Sequence, residues 1–120
     1  MPRNMSFAMT TDQVKAQTKT VTRRFGWWFL KPGDILNAVE KSMGLQKGEK
    51  IKRLCQIRVV SVRKERLIDI SQDDVVAEGF PDWTPLKFIQ MLIDHYSIHP
   101  SKECNRIEFE YVNTPPSAGA

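Results

Sequence analysis

The sequence predicts an α+β fold, a small and mostly antiparallel β-barrel with flanking helices that cover its ends. Short segments in which apolar and polar residues alternate recur along the chain, as expected of half-buried strands. Two helical segments with capping residues stand together before the last of these strands. Since neither an internal repeat nor a domain linker is visible, we expect one domain over residues 1–113, followed by a flexible C-terminal tail, 114–120.

The strands are predicted from runs in which β-branched and aromatic residues alternate with polar ones. The longest of them is expected to contain a bulge or bend and to carry cations on its solvent face. A short helix is predicted between the first two strands, over about 12–18, with its stability coming from packing. The predicted strands are 5–9, 20–24, 35–40, 51–62 and 106–112.

Two further helices are predicted between the fourth and fifth strands. Ser71 can cap the first of them, which should end at Gly79, a residue suited to a left-handed helix end. Thr84 can cap the second, with Pro85 at its first position and its end near Tyr96. Apolar residues at spacings of three and four along this second helix are more typical of a core face than of a partner surface.

The composition is that of a water-soluble globular protein. A domain of 120 residues can bury one core without disulfides or metals. Cys55 and Cys104 lie in or beside apolar runs, and we expect both to be reduced; no spacing typical of a metal site is present. No apolar run is long enough to cross a membrane, and the first residues lack a signal-peptide pattern. We therefore expect a cytoplasmic, monomeric protein without a metal or cofactor.

The charge is unevenly distributed along the chain. Residues 1–66 hold fifteen Lys and Arg against five Asp and Glu, a net charge of +10, whereas residues 67–120 hold three against nine, a net charge of −6. The basic part could meet a phosphate backbone or an anionic small molecule. Attraction between the two parts within the fold is the alternative, and both can hold because fifteen cations exceed nine acids.

The segment 19–24, Lys-Thr-Val-Thr-Arg-Arg, is the strongest candidate for a binding site. A surface strand needs Thr and Val but has no need of three cations beside two hydroxyls. Trp27 and Trp28 follow, and an exposed tryptophan beside Arg23 and Arg24 would stack on a base; packing in the core is the alternative. The candidate ligand-binding residues are Arg23, Arg24, Trp27, Trp28, Lys31 and Lys41.

Glu78 is placed unexpectedly, at the last turn of the helix that should end at Gly79. A negative charge is unfavourable at a helix C-terminus. Local conflicts of this kind often mark functional sites, although an exposed glutamate tolerates the position at small cost.

Taken in order, these segments resemble the ASCH domain. The resemblance rests on 19–24, the aromatic cluster after it, Lys-Pro-Gly-Asp at 31–34, Glu-Gly-Phe at 78–80 and the closing strand 107–111. It covers about residues 5–112 and implies a PUA-like β-barrel that binds RNA or a modified nucleoside in a cleft beside the barrel. Proteins of this type occur in bacteria and bacteriophages. Hydrolysis of acetylcytidine and cleavage of single-stranded RNA are the two activities known among relatives.

The resemblance also implies a catalytic triad of Lys19, Thr22 and Glu78. Lys19 would act as a base if burial and Arg23 and Arg24 lowered its pKa, Thr22 would be acylated, and Glu78 would move a proton. On a regular strand Lys19 and Thr22 point to opposite faces, so the pair meets only if the chain turns at Lys19 or the long lysine wraps around.

Three functions remain open at this point. The first is a module that binds RNA or a nucleotide in a cationic cleft. The second is an enzyme, either an amidohydrolase acting on acetylcytidine or a metal-independent ribonuclease. The third is a protein-interaction domain whose basic strand meets an acidic partner.

Overall fold

The computed structural model describes residues 2–41 and 45–112; the expected tail, 114–120, lies outside them. Five strands, three α-helices and two short 3-10 segments follow one another along the chain. The strands are β1 (Arg3–Ser6), β2 (Val21–Arg24), β3 (Ile35–Val39), β4 (Arg53–Arg66) and β5 (Glu103–Tyr111). The α-helices are α1 (Thr11–Lys15), α2 (Gln72–Ala77) and α3 (Pro85–Tyr96), and the 3-10 segments are Ala8–Thr10 and Leu67–Asp69.

All five strands form one curled sheet in the order β1-β3-β4-β5-β2. Three of the four pairings are antiparallel, whereas β1 runs parallel to β3. The sheet is therefore mixed, and it curls into an open half-barrel; the predicted α+β class is confirmed. The parallel pairing of β1 was not predicted, because a single alternating segment does not show the direction of its partner.

The long strand β4 is the centre of the sheet and pairs with both β3 and β5. Its register with β5 shifts between Val59 and Ser61, which confirms the predicted bulge. The extra residue leaves Val60 exposed and allows Val59 and Val62 both to pack against the core. The strand continues to Arg66, beyond the predicted end at residue 62, because its last residues pair with the start of β5.

The predicted helix starts of α2 and α3 are confirmed by their capping hydrogen bonds. Ser71 accepts from the backbone N–H of Asp74 at 3.2 Å, and Thr84 accepts from that of Lys87 at 3.2 Å. The early helix α1 is shorter than predicted, because Gln17 adopts a left-handed backbone with a φ of 59°.

The core has two parts. The first fills the curled sheet and includes Val14 of α1. The second lies between the Leu67–Asp69 segment, α2 and α3. Its buried residues are Leu67, Ile70, Val75, Phe88, Ile89 and Leu92, so the apolar face of α3 is a core face, as predicted.

The two cysteines are free thiols, with Cys104 buried and Cys55 partly buried. Burial raises the pKa of the Cys104 thiol to about 11. Within 2–41 and 45–112, no group of three or more His, Cys, Asp or Glu side chains is arranged to hold a metal ion. No helix in these ranges is long and apolar enough to cross a membrane.

Candidate functional site

The backbone just before β2 is held by hydrogen bonds at the peptide that joins Lys19 and Thr20. The backbone N–H of Thr20 donates to the carbonyl of Ala77 at 2.7 Å, and the Tyr111 hydroxyl donates to the carbonyl of Lys19 at 2.6 Å. The Thr20 carbonyl also accepts from the backbone N–H of Phe109 at 2.9 Å, so pairing with β5 already begins at Thr20. Lys19 lines the same cavity as Thr22, although strand alternation alone would separate them.

Glu78 caps the C-terminus of α2 and is buried, with only 2% of its surface exposed. The Lys19 ammonium donates to Oε1 of Glu78 at 2.6 Å and to the Glu78 backbone carbonyl at 2.9 Å. A cation beside the last carbonyls of a helix is favourable. Lys19 therefore compensates both the carboxylate and the helix end, which explains how a glutamate is accommodated at this position.

Arg23 connects β2 to β4 and α2 by hydrogen bonds to three carboxylates. It donates to Oε2 of Glu78 at 3.2 Å, to Oδ2 of Asp74 at 2.6 Å and to Oε2 of Glu65 at 2.5 Å. Arg106 of β5 binds Asp74 through two further hydrogen bonds, at 2.7 and 2.9 Å. With three acids already bound, the Arg23 head group is a structural centre of the site and is not free to hold a phosphate.

The ionisation of this network follows from burial and pairing. Burial lowers the pKa of Lys19, and the nearby Glu78 carboxylate only partly offsets that effect. Burial also opposes the charge of Arg23, but its hydrogen bonds to Glu65 and Asp74 outweigh this and raise its pKa. Arg106, aided by Arg23, holds the pKa of Asp74 well below its usual range.

Arg24 is directed at Thr22. Its Nε donates to the Thr22 hydroxyl oxygen at 3.1 Å, and its Nη2 donates to the carbonyl of Ser6 at 2.6 Å. The guanidinium also lies over the Phe7 ring, 4.8 Å from its centroid. Because Arg24 supplies the hydrogen in its bond to Thr22, the hydroxyl proton of Thr22 remains available to another acceptor.

These residues surround one cavity of about 280 Å³. Polar residues form one part of its lining, and the rest is formed by Phe80, by residues of α3 and by Phe7, Ala8 and Met9. The polar side includes Thr10, Lys19, Thr22, Arg23, Arg24 and Glu78. The side formed by Phe80 and α3 includes Phe80, Phe88, Met91, Leu92, His95 and Tyr96. The arrangement is suited to a planar ligand with polar substituents on one edge.

His95 and Tyr96 line the cavity, although neither was among the candidate catalytic or ligand-binding residues. His95 follows Met91 by one helical turn, and Tyr96 follows Leu92 by the same spacing. The apolar stripe predicted for α3 already reaches Tyr96, and the same helical spacing from Met91 identifies His95.

The other candidate residues lie elsewhere. Trp27 is partly buried and packs against the first core, whereas Trp28 is 52% exposed, with the Lys64 ammonium 5.7 Å from its ring centroid. Lys31 is exposed, and Lys41 pairs with Glu49 at 3.3 Å. None of these four residues lines the cavity.

The basic surface of β4 is partly neutralised within the fold. Arg58 pairs with Glu110 at 2.8 Å and Arg66 with Asp69 at 3.0 Å, so acids of the second part of the chain meet cations of the first. Attraction between the two oppositely charged parts, one of the two alternatives in the sequence, thus accounts for some of the charge asymmetry.

Gly79 sets the path of the chain after Glu78. Its φ is +105°, and a Cβ there would lie 2.7 Å from Cγ of Gln13. We expect Gly79→Ala to lower the free energy of unfolding by about 1–3 kcal/mol, because backbone strain and the contact with Gln13 act together. Urea unfolding measures the change. Gly26→Ala is the matched control, since a Cβ there meets nothing within 4 Å; equal losses in both variants would contradict the explanation.

Comparisons with known proteins identify solved structures that share the fold of this chain. No protein-family model matches the sequence, and no curated protein matches it. Solved structures with a similar fold include the following three. The ASCH domain from Lactobacillus crispatus JV V101 has a TM-score of 0.69 at 15% identity, over 91% of this chain and 78% of that one. A protein from Enterococcus faecalis V583, described as DUF984, has a TM-score of 0.64 at 19% identity, over 93% and 80% of the two chains.

The third structure, a hypothetical protein, has a TM-score of 0.65 at 17% identity, over 93% of this chain and all of that one (100%). At these identities the similarity concerns the fold. It confirms that this chain has the ASCH-like fold that the sequence resemblance implies.

Proposed function

We propose that the cavity binds a modified nucleoside, either free or as part of RNA, and that the protein hydrolyses the amide of an acetylated cytosine. One observation carries this proposal. Lys19, Thr22 and Glu78 come from two distant parts of the chain, yet all three are buried and line one cavity. Convergence of a nucleophile, a base and a proton carrier is what amide hydrolysis requires.

The size of the cavity supports a nucleoside as the ligand. At about 280 Å³ it falls near the lower end of ligand pockets, which span roughly 300–1,000 Å³. A base could lie against the apolar side while its polar edge meets Glu78 and Arg24. Binding through a phosphate clamp of Arg23 and Arg24 has less support, because the buried Arg23 is already bound by three carboxylates.

Lys19 and Thr22 would perform the first half of the reaction. A neutral Lys19 amine takes the proton of the Thr22 hydroxyl as its oxygen attacks the acetyl carbonyl carbon. Burial favours that neutral amine because it lowers the Lys19 pKa. Arg24, which donates to the same hydroxyl oxygen, would stabilise the negative charge that develops on the carbonyl oxygen.

Glu78 would serve the second half. The C–N bond breaks as the cytosine amine takes up the proton, which Lys19 can pass on through the Glu78 carboxylate 2.6 Å away. Water then attacks the acetyl ester on Thr22, releases acetate and restores the hydroxyl. The same Lys19–Glu78 pair accepts the proton of that water and passes it to the Thr22 oxygen as the C–O bond of the ester breaks.

Turnover of N4-acetylcytidine, followed by chromatography as cytidine forms, tests the proposal. We expect the rate to rise with pH as Lys19 loses its proton, and to do so below the ordinary lysine pKa of about 10.4, since burial lowers the Lys19 pKa. Lys19→Met should abolish the reaction.

Lys15→Met is the control, because Lys15 is exposed on α1 and lies outside the cavity. Absence of turnover by the unaltered protein, or equal rates in the Lys19 and Lys15 variants, would rule out this function.

A further inference from the structure

A second recess adjoins the cavity and shares two residues with it. Arg24 and Tyr96 line both, so a ligand could pass from one to the other without leaving the surface. The recess is open to solvent and has a volume of about 460 Å³. Its remaining side chains come from the N-terminal strand and from the segment after β2, and include Arg3, Phe25, Trp27 and Phe29.

Aromatic rings dominate this recess. The rings of Trp27 and Phe29 lie 5.6 Å apart between centroids, and Phe25 meets Tyr96 edge-on at 5.3 Å. Phe29 is 54% exposed and Tyr96 is 47% exposed, so ring surface is left available to a ligand. Exposed aromatic rings of this kind provide stacking surfaces for nucleic-acid bases, with little dependence on sequence.

The backbone holds this cluster in place. Trp27 has a φ of 60°, which is unusual for a bulky residue, and its carbonyl accepts a hydrogen bond from the side-chain amide of Asn105 at 3.0 Å. Constrained backbone of this type persists only where surrounding contacts determine it. The rings are therefore arranged before any ligand arrives, which reduces the entropy lost on binding.

The charge of the recess is positive. The Arg3 guanidinium lies over Phe29 at 4.8 Å, and the Lys102 ammonium lies 5.9 Å from the Phe25 centroid. None of the described residues that line the recess is acidic. Unlike Arg23, the exposed Arg3 is accessible to a phosphate in solvent.

We propose that this recess takes the nucleotide next to the one bound in the cavity, so that the substrate is a modified cytidine within single-stranded RNA. The base of the neighbouring nucleotide stacks on Phe29 and Trp27, while Arg3 meets the connecting phosphate. The inference rests on the proposed function for the role of the cavity, but binding by the recess can be measured on its own.

Equilibrium titration of tryptophan fluorescence with cytidine monophosphate and with a four-residue cytidine RNA gives that measurement. We expect the oligomer to bind more tightly by about five- to hundredfold, the contribution of stacking one base. Phe29→Ala should remove this advantage, whereas Phe29→Tyr, which keeps the aromatic ring, should retain it.

Trp28→Ala is the contrasting variant, because Trp28 is a neighbouring exposed aromatic residue that does not line the recess. Equal affinities for the two ligands, or a loss in the Trp28 variant in place of the Phe29 variant, would overturn the assignment. A different result would count against the proposed reaction alone. In that case acetylcytidine is not turned over, but the oligomer still binds more tightly and this advantage still depends on Phe29.

Discussion

Thr22→Val is expected to reduce kcat/KM for acetylcytidine by at least about a thousandfold. Valine has the shape of threonine but lacks the hydroxyl, so the covalent route is lost. The rate enhancement that Lys19 provides as a general base is lost as well. For a positioned side chain this enhancement is about 10²–10⁴-fold. Thr22→Ser, which retains a hydroxyl, should keep part of the activity. Steady-state kinetics on the purified variants provides the measurement.

The structural cost of this substitution should be small by comparison. Arg24 loses one acceptor, which costs about 1 kcal/mol in the free energy of unfolding. Thr20→Val is the matched control, because Thr20 is exposed, precedes β2 and does not line the cavity. If Thr22→Val is folded and still active at the rate of Thr20→Val, the nucleophile lies elsewhere and the reaction scheme fails.

Arg23→Met is expected to lower the free energy of unfolding by about 3–5 kcal/mol, the loss typical when one partner of a buried ion pair is removed. The side chain of Arg23 is completely buried (0% exposed), and it joins Glu65, Asp74 and Glu78. Methionine fills similar space but removes the positive charge that these three carboxylates share. Glu78 also loses a hydrogen bond that orients its carboxylate. Urea unfolding at neutral pH gives the value.

Arg58→Met is the comparison for this variant. Arg58 also pairs with a glutamate, Glu110, but its side chain is 45% exposed and that of Glu110 is 53% exposed. Solvent screening limits such pairs to about 0–1 kcal/mol. Similar losses in the two variants would show that Arg23 is not the structural centre that its contacts indicate.

The stability that the network provides should depend on pH in a defined direction. Arg106 lowers the pKa of Asp74 in the folded state, so the unfolded state binds its proton first as pH falls. The contribution of Asp74 to the free energy of unfolding is therefore complete above its pKa in the unfolded state, about 3.9. It is lost progressively as the pH falls from there toward the lower pKa of the folded state. We accordingly expect Arg23→Met to differ less from the unaltered protein as pH falls through this range, measured by unfolding at several pH values.

Local signals were sufficient for most of the fold. Ser71 and Thr84 cap their helices through their own hydroxyls, and the alternation along β4 identifies its buried and exposed faces before the bulge. These features depend on residues three or four positions apart, or on strand period, which a sequence displays directly. The direction of β1 depends instead on a partner more than thirty residues away, Leu36 opposite Arg3, and no local pattern encodes it.

The candidate site was only partly accessible by the same reasoning. The mixture of cations and hydroxyls at 19–24 identified that segment as part of a candidate site. The unfavourable negative charge at a helix end identified Glu78 as a second part of it. Composition alone gave Arg23 and Arg24 the same expected role, that of phosphate ligands. Their different environments separate them, because Arg23 is enclosed by carboxylates and Arg24 is turned toward Thr22.

Local patterns were therefore enough to predict the type of most elements, the ASCH-like fold and the segment from which a site would be built. Which residues of that segment meet which partners depends on long-range contacts. Lys19 reaches Glu78 across 59 residues of chain, and Arg23 reaches Glu65 and Asp74 across 42 and 51. Contacts at such separations depend on how the sheet curls against α2. The physical reason is that burial and pairing set the ionisation of each group, and neither is a property of a residue on its own.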